Sequence, residues 1–175
     1  IETEGAAAEL NQKPIVAAVL AGLMKRYSQS VNMVNAPFLA RERGIAVREI
    51  RNARQGVYQT LLRVTVATSQ GDRSVAGTLF SNAAPRLVEM FGISIEADLE
   101  GEMLYIGNRD LPGFIGSVGV VLGEAGINIG TFHLGRREQG SDAILLLSVD
   151  SPVPADVIAR ICAVPNVKVV RPLRF

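Results

Sequence analysis

Between Gly101 and Phe175 the spacing of apolar residues passes through two periods in a fixed order. Alternation from Met103 to Asn108 reads as a strand, and helical spacing follows from Gly113 to Ala125, ended by Gly126. A strand is expected at Asn128 to Gly135, a turn at Arg136 to Ser141, and a strongly apolar strand at Ala143 to Val149. A helix opened by Pro154 and a last strand, Val167 to Arg171, complete the order βαββαβ. Right-handed crossovers then put both helices on one face of a four-stranded antiparallel sheet, the ferredoxin-like arrangement.

The residues before Gly101 follow another pattern. An amphipathic helix is expected from Pro14, with Ile15, Val16, Val19, Leu20 and Leu23 on one face and Lys25 and Arg26 at its end. A second helix is expected over Val31 to Arg43, with Val34, Phe38 and Leu39 inward and Gly44 as its left-handed cap; Pro37 implies a kink or a start near Ala36. Strands are expected at Ile45 to Arg51, Val57 to Ala67 and Arg73 to Phe80, with a hairpin turn at Gln70-Gly71-Asp72. Two short strands broken at Gly92, Leu87 to Phe91 and Ile93 to Ala97, lead to a boundary at Asp98 to Gly101. The fold class is therefore α+β, with two small domains at 1–100 and 101–175.

Reactive side chains are scarce. One histidine, His133, and one cysteine, Cys162, build neither a zinc site nor a disulfide framework. Cys162 is expected on the apolar face of the last helix with Val157, Ile158 and Ile161. No G-x-x-x-x-G-K-[ST], G-x-G-x-x-G or G-x-S-x-G occurs, so no catalytic residue and no metal ligand is nominated. The net charge of +1 argues against nucleic acid and acidic lipid as partners. The run from Pro14 to Met24 is too short to span a membrane, and a cytoplasmic protein is expected. The first residue, Ile1, suggests a piece of something longer or a processed product.

Candidate binding residues cluster after the first strand of the second half, in Asn108-Arg109-Asp110-Leu111-Pro112-Gly113. Pro112 presets a helix entry, Gly113 allows close approach, and the helix amides beyond suit a carboxylate. Asp110 could hold an ammonium, while Asn108 and Asn128 add amide donors and acceptors. A small amino acid fits that set, although Asp110 as a helix cap and Asn128 as a turn former explain the same residues.

The stretch N-R-D-L-P-G-F-I-G-S-V-G, followed by G-E-A-G-I-N-I-G, resembles the ACT regulatory domain of D-3-phosphoglycerate dehydrogenases. The first half resembles the allosteric-substrate-binding domain that precedes ACT in the longer form of those enzymes, through S-V-N-M-V-N-A-P-F-L-A-R-E-R-G-I (Ser30 to Ile45) and S-V-A-G-T-L-F (Ser74 to Phe80). The resemblance implies a regulatory, oligomerising region without the catalytic domains. NAD and the oxidoreductase chemistry of serine biosynthesis would then belong to upstream domains. It further implies ACT units paired edge to edge, with L-serine between subunits on Asn108, Asp110, Pro112, Gly113 and, from the facing subunit, Asn128. Arg86 falls at one place where relatives hold an anion, with Asp98 and Ser148 at two others. The alternatives are a stand-alone amino-acid-binding regulator or the regulatory part of an L-serine dehydratase. An RNA-binding βαββαβ domain is disfavoured by the apolar central strand Ala143-Ile144-Leu145-Leu146-Leu147.

Overall fold

The computed structural model describes residues 1–54, 56–69, 71–81 and 84–175, and by internal contact the chain forms two compact units, Ile1–Ala83 and Ala84–Phe175. Of the turn expected at Gln70-Gly71-Asp72, Gln70 lies outside the described residues.

The first unit runs β1 (Glu2–Gly5), α1 (Ala6–Glu9), α2 (Gln12–Met24), α3 (Ala36–Glu42), β2 (Ile50–Asn52), β3 (Thr60–Thr68) and β4 (Gly71–Phe80). β1 has no large apolar residue, yet it lies inside the sheet, parallel to β2 and antiparallel to β3. Its Thr3 is fully buried and donates to Oε1 of Gln12 at 3.1 Å. Gln12 in turn donates to the carbonyls of Ala7 and Leu10, so the buried polar pair is satisfied and ties the strand to the start of α2. The helix begins at Gln12, two residues before the expected start at Pro14, and Asn11 caps it, accepting from the amide of Lys13.

Two expectations fail in this unit. Helix α3 begins at Ala36, the start that Pro37 implies, but the inward residues are Ala36 and Ala40, with Leu39 partly buried, whereas Val34 and Phe38 are 90% and 61% exposed. The cause is local. Asn32 and Asn35 bond reciprocally, Asn32 Oδ1 accepting from the amides of Val34 and Asn35 while Asn35 Oδ1 accepts from that of Asn32. That turn keeps Val34 out of the helix and sets the buried face at 36 and 40, where alanines pack with Leu20, Ala21 and Met24 of α2. The strand expected from Ile45 is only Ile50–Asn52. Ile45 instead closes the α3 cap, its amide donating to Ala40 O while that of Gly44 donates to Arg41 O, with Gly44 at φ 70°.

The second unit contains β5 (Ala84–Met90), β6 (Ile93–Ala97), β7 (Glu102–Arg109), α4 (Phe114–Glu124), β8 (Ile129–Arg136), β9 (Asp142–Val149), α5 (Ala155–Cys162) and β10 (Val167–Arg174). β5 and β6 form a hairpin whose two turn residues, Phe91 and Gly92, both have positive φ, the geometry that suits a two-residue turn to strand twist. The remaining strands make an antiparallel sheet in the order β10-β7-β9-β8. Leu104, Ile106, Leu145, Leu147 and Val170 point to one face and bury Phe114, Val118 and Leu122 of α4 and Val157 and Ile161 of α5. This is the expected ferredoxin-like unit. Met103, Ile144 and Leu146, at alternate positions, are buried on the opposite face, where the β5–β6 hairpin lies against β8. Phe91 meets Tyr105 edge to face, with ring centroids 6.0 Å apart. Cys162 departs from expectation: it ends α5, turned one step past the Val157–Ile161 face, and is exposed. Among the described residues no helix is long and apolar enough to cross a membrane.

Candidate functional site

The nominated loop leaves the end of β7 and enters α4. Asn108 is its root, 2% exposed between Ala143 and Val167 of the neighbouring strands. Its Nδ2 donates to the carbonyl of Arg109 at 2.8 Å, while its buried Oδ1 accepts no hydrogen bond from the described residues. Gly113 occupies the N-cap of α4 at φ 89°, a left-handed conformation that a side chain would strain. The first amides of α4 have no acceptor within the helix, and the carbonyl of Gly113 receives both the amide and the hydroxyl of Ser117.

Asp110 is held by a residue the sequence reading did not nominate. Arg136, the last residue of β8, donates from Nη1 to Asp110 Oδ2 at 2.7 Å, and the amide of Gly140 donates to the same oxygen at 3.4 Å. The hydrogen bond from Arg136 keeps the Asp110 carboxyl below the usual carboxylate range. The signal for Arg136 lies in topology. In a β10-β7-β9-β8 sheet, the end of β7, the start of β9 and the end of β8 share one border, so the β8–β9 turn must flank the loop.

The same topology carries Asn128 to the opposite border. It precedes β8, beside the end of β9, and its Nδ2 donates to Asp150 Oδ2 at 2.8 Å. The length of β8, seven residue steps or roughly 23 Å at strand rise, separates it from Arg136 and Asp110. One copy therefore brings Asn108, Asp110, Pro112 and Gly113 together and leaves Asn128 apart.

Arg86, nominated for an anion, is ion-paired with Asp98. Beside Asp98 opens a cleft of about 370 Å³ that includes Glu100, Glu102, Thr131 and Ser148 in its lining. An anion at Arg86 has to displace Asp98.

The family model described as the D-3-phosphoglycerate dehydrogenase intervening domain matches residues 1–91, and the ACT domain model matches 103–166. A D-3-phosphoglycerate dehydrogenase of Bacillus subtilis (strain 168) is 34% identical over 168 residues, covering 95% of this chain and 32% of the relative. One from Synechocystis is 34% identical over 90% of this chain and 29% of the relative, and one from Methanocaldococcus jannaschii is 35% identical over 79% and 26%. The chain spans a third or less of the length of these curated relatives. With the matched intervening domain covering more than half of its residues and an ACT domain following, the chain belongs to the D-3-phosphoglycerate dehydrogenase intervening-domain family and corresponds to the regulatory region of such enzymes.

Proposed function

We propose that this region senses L-serine for a D-3-phosphoglycerate dehydrogenase, binding it between two copies paired through β8. The observation that carries the reading is the contrast between the two edge strands of the ACT sheet. β10 is guarded against pairing by Lys168, Arg171, Pro172 and Arg174, the residue types that blunt a sheet edge. β8 offers Ile129, Gly130, Thr131, Phe132, His133 and Leu134 with no charge before Arg136, and Phe132 and Leu134 are more than a third exposed.

Antiparallel pairing of β8 with a second β8, centred on the strand, sets each Arg136 opposite the start of the other strand. Asn128 of the partner subunit then comes to the border that holds Asp110, which joins the two groups that one copy keeps apart. The unsatisfied Oδ1 of Asn108 supports an effector that brings a donor, since a buried acceptor without one costs about 1–3 kcal/mol.

Serine that binds one subunit arrangement better than another shifts the population toward it. A coupling of about 1–3 kcal/mol suffices to restrain the catalytic domains. NAD is assigned to the part of the enzyme that this chain does not span, since no G-x-G-x-x-G turn occurs in the sequence. Calorimetric titration of the chain with L-serine tests the reading, with Asn128→Ala and Asp110→Ala as variants. Saturable binding weakened by both substitutions is expected. No heat and no rise in melting temperature at millimolar serine would overturn it.

A further inference from the structure

The Asp110–Arg136 pair changes what the loop can select. The Arg136 side chain is 54% exposed and that of Asp110 19%, so a ligand arriving from solvent meets the guanidinium first. The loop and the β8–β9 turn are also joined through backbone, the Asp110 amide donating to the carbonyl of Ser141 at 2.8 Å. Separating the two side chains therefore need not release the loop.

A partly exposed arginine–carboxylate pair contributes little net stability, about 0–1 kcal/mol. It opens cheaply, and opening uncovers one positive and one negative group side by side. A ligand with a single charge satisfies one of them and strands the other, exchanging one ion pair for one. A zwitterionic α-amino acid satisfies both: its carboxylate takes the guanidinium, with a fork geometry suited to two parallel hydrogen bonds, and its ammonium takes Asp110.

We propose that Arg136 is the specificity-determining residue of this loop, and that the Asp110–Arg136 pair is split by a zwitterionic α-amino acid which replaces each side chain as the other's partner. The proposal rests on the effector reading above and adds the group that receives the carboxylate. Asp110, occupied by Arg136 in the free state, is then expected to discriminate against molecules that bring an ammonium alone.

The test is calorimetry on the whole chain with three probes: L-serine, ethanolamine, which lacks the carboxylate, and 3-hydroxypropionate, which lacks the ammonium. The wild type is expected to take L-serine at least about tenfold more tightly than either single-charge probe, a margin of about 1.4 kcal/mol. Arg136→Gln is expected to lose serine affinity by about tenfold or more and to gain ethanolamine affinity, because Asp110 is freed; Arg136→Lys restores part of the serine binding. If Arg136→Gln binds serine like the wild type, or loses it without gaining ethanolamine while its melting temperature is kept, the assignment of Arg136 is overturned and the serine reading stands. If the Gln variant is unfolded, the Lys variant carries the decision: serine binding weakened but retained, as a point charge without the fork gives, supports the proposal, and affinity equal to the wild type's or lost completely overturns it. If the wild type itself binds no serine, both readings fall together.

Discussion

Gly135 of β8 and Ser94 of β6 approach so closely that a methyl group on Gly135 would stand 2.6 Å from the Ser94 carbonyl oxygen. Cγ2 of Ile93 would be 2.9 Å away and Cβ of Ile95 3.2 Å. A backbone carbonyl and a β-branched stem cannot swing aside as the end of a long side chain can. Gly135→Ala is therefore expected to lift the β5–β6 hairpin off the sheet at a cost of about 1–3 kcal/mol, read by urea denaturation. Gly119→Ala is the contrasting case, in the middle of α4 with no described heavy atom beyond the adjoining residues and the helix's own backbone within 4 Å of the new carbon, and is expected to stabilise by about 0.5–1 kcal/mol. A Gly135→Ala chain as stable as the parent would mean that the hairpin is not seated there.

Asp110 supplies a pH-dependent contribution with a definite sign. Its folded-state carboxyl titrates below the ordinary aspartate value, chiefly because Arg136 donates to it. Such a group stabilises the fold above the unfolded value, about 3.9, and that stabilisation is lost as pH falls through the lowered folded value. Arg136→Gln removes the cause, so the Asp110 carboxyl resonance should titrate at higher pH and acid unfolding should depend less steeply on pH. Asp142, lowered chiefly by its hydrogen bond from Lys168, should keep its titration in the same variant.

What could be read from sequence follows the reach of each signal. The spacing of Val118 and Leu122, and of Val157 and Ile161, marks two helix faces, and these residues do bury against the alternating set on β7 and β9. β1 has no such signal: Glu2, Thr3, Glu4 and Gly5 are polar or bare, and the strand sits inside its sheet because Gln12 satisfies the buried Thr3 hydroxyl. Asn108, Asp110 and Asn128 were nominated by residue type and turn position. That they occupy opposite borders of the sheet, and that Arg136 belongs with Asp110, depend on strand order, to which a local pattern is blind.

The orientation of α3 makes a further prediction. Val34→Ser and Phe38→Ser alter apolar residues that are largely exposed, so each should shift unfolding free energy by no more than about 0.5 kcal/mol. Ala40→Leu puts four-carbon bulk where Ala40, 1% exposed, packs among Leu20, Ala21 and Met24, and should cost about 1–3 kcal/mol. Thermal melts of the three variants compare the two faces directly. The reverse ranking would restore the inward orientation of Val34 and Phe38.

Self-association through β8 can be separated from folding because the residues that leave the edge open are not those that build the core. Leu134 is 38% exposed on a strand that lies at the edge of its sheet, with no neighbour on its outer side among the described residues of one copy. Leu134→Lys adds the charge by which edges are commonly protected, and it should move the chain toward monomer in sedimentation equilibrium while leaving its circular dichroism unchanged. Arg171→Ala, on the guarded edge β10, should leave the association constant as it was. If serine binds only the paired form, mass action requires that adding serine strengthen pairing and that Leu134→Lys weaken serine binding by the same coupling. A Leu134→Lys chain that is monomeric yet binds serine with undiminished affinity would confine the effector site to one subunit and remove Asn128 of the partner subunit from it.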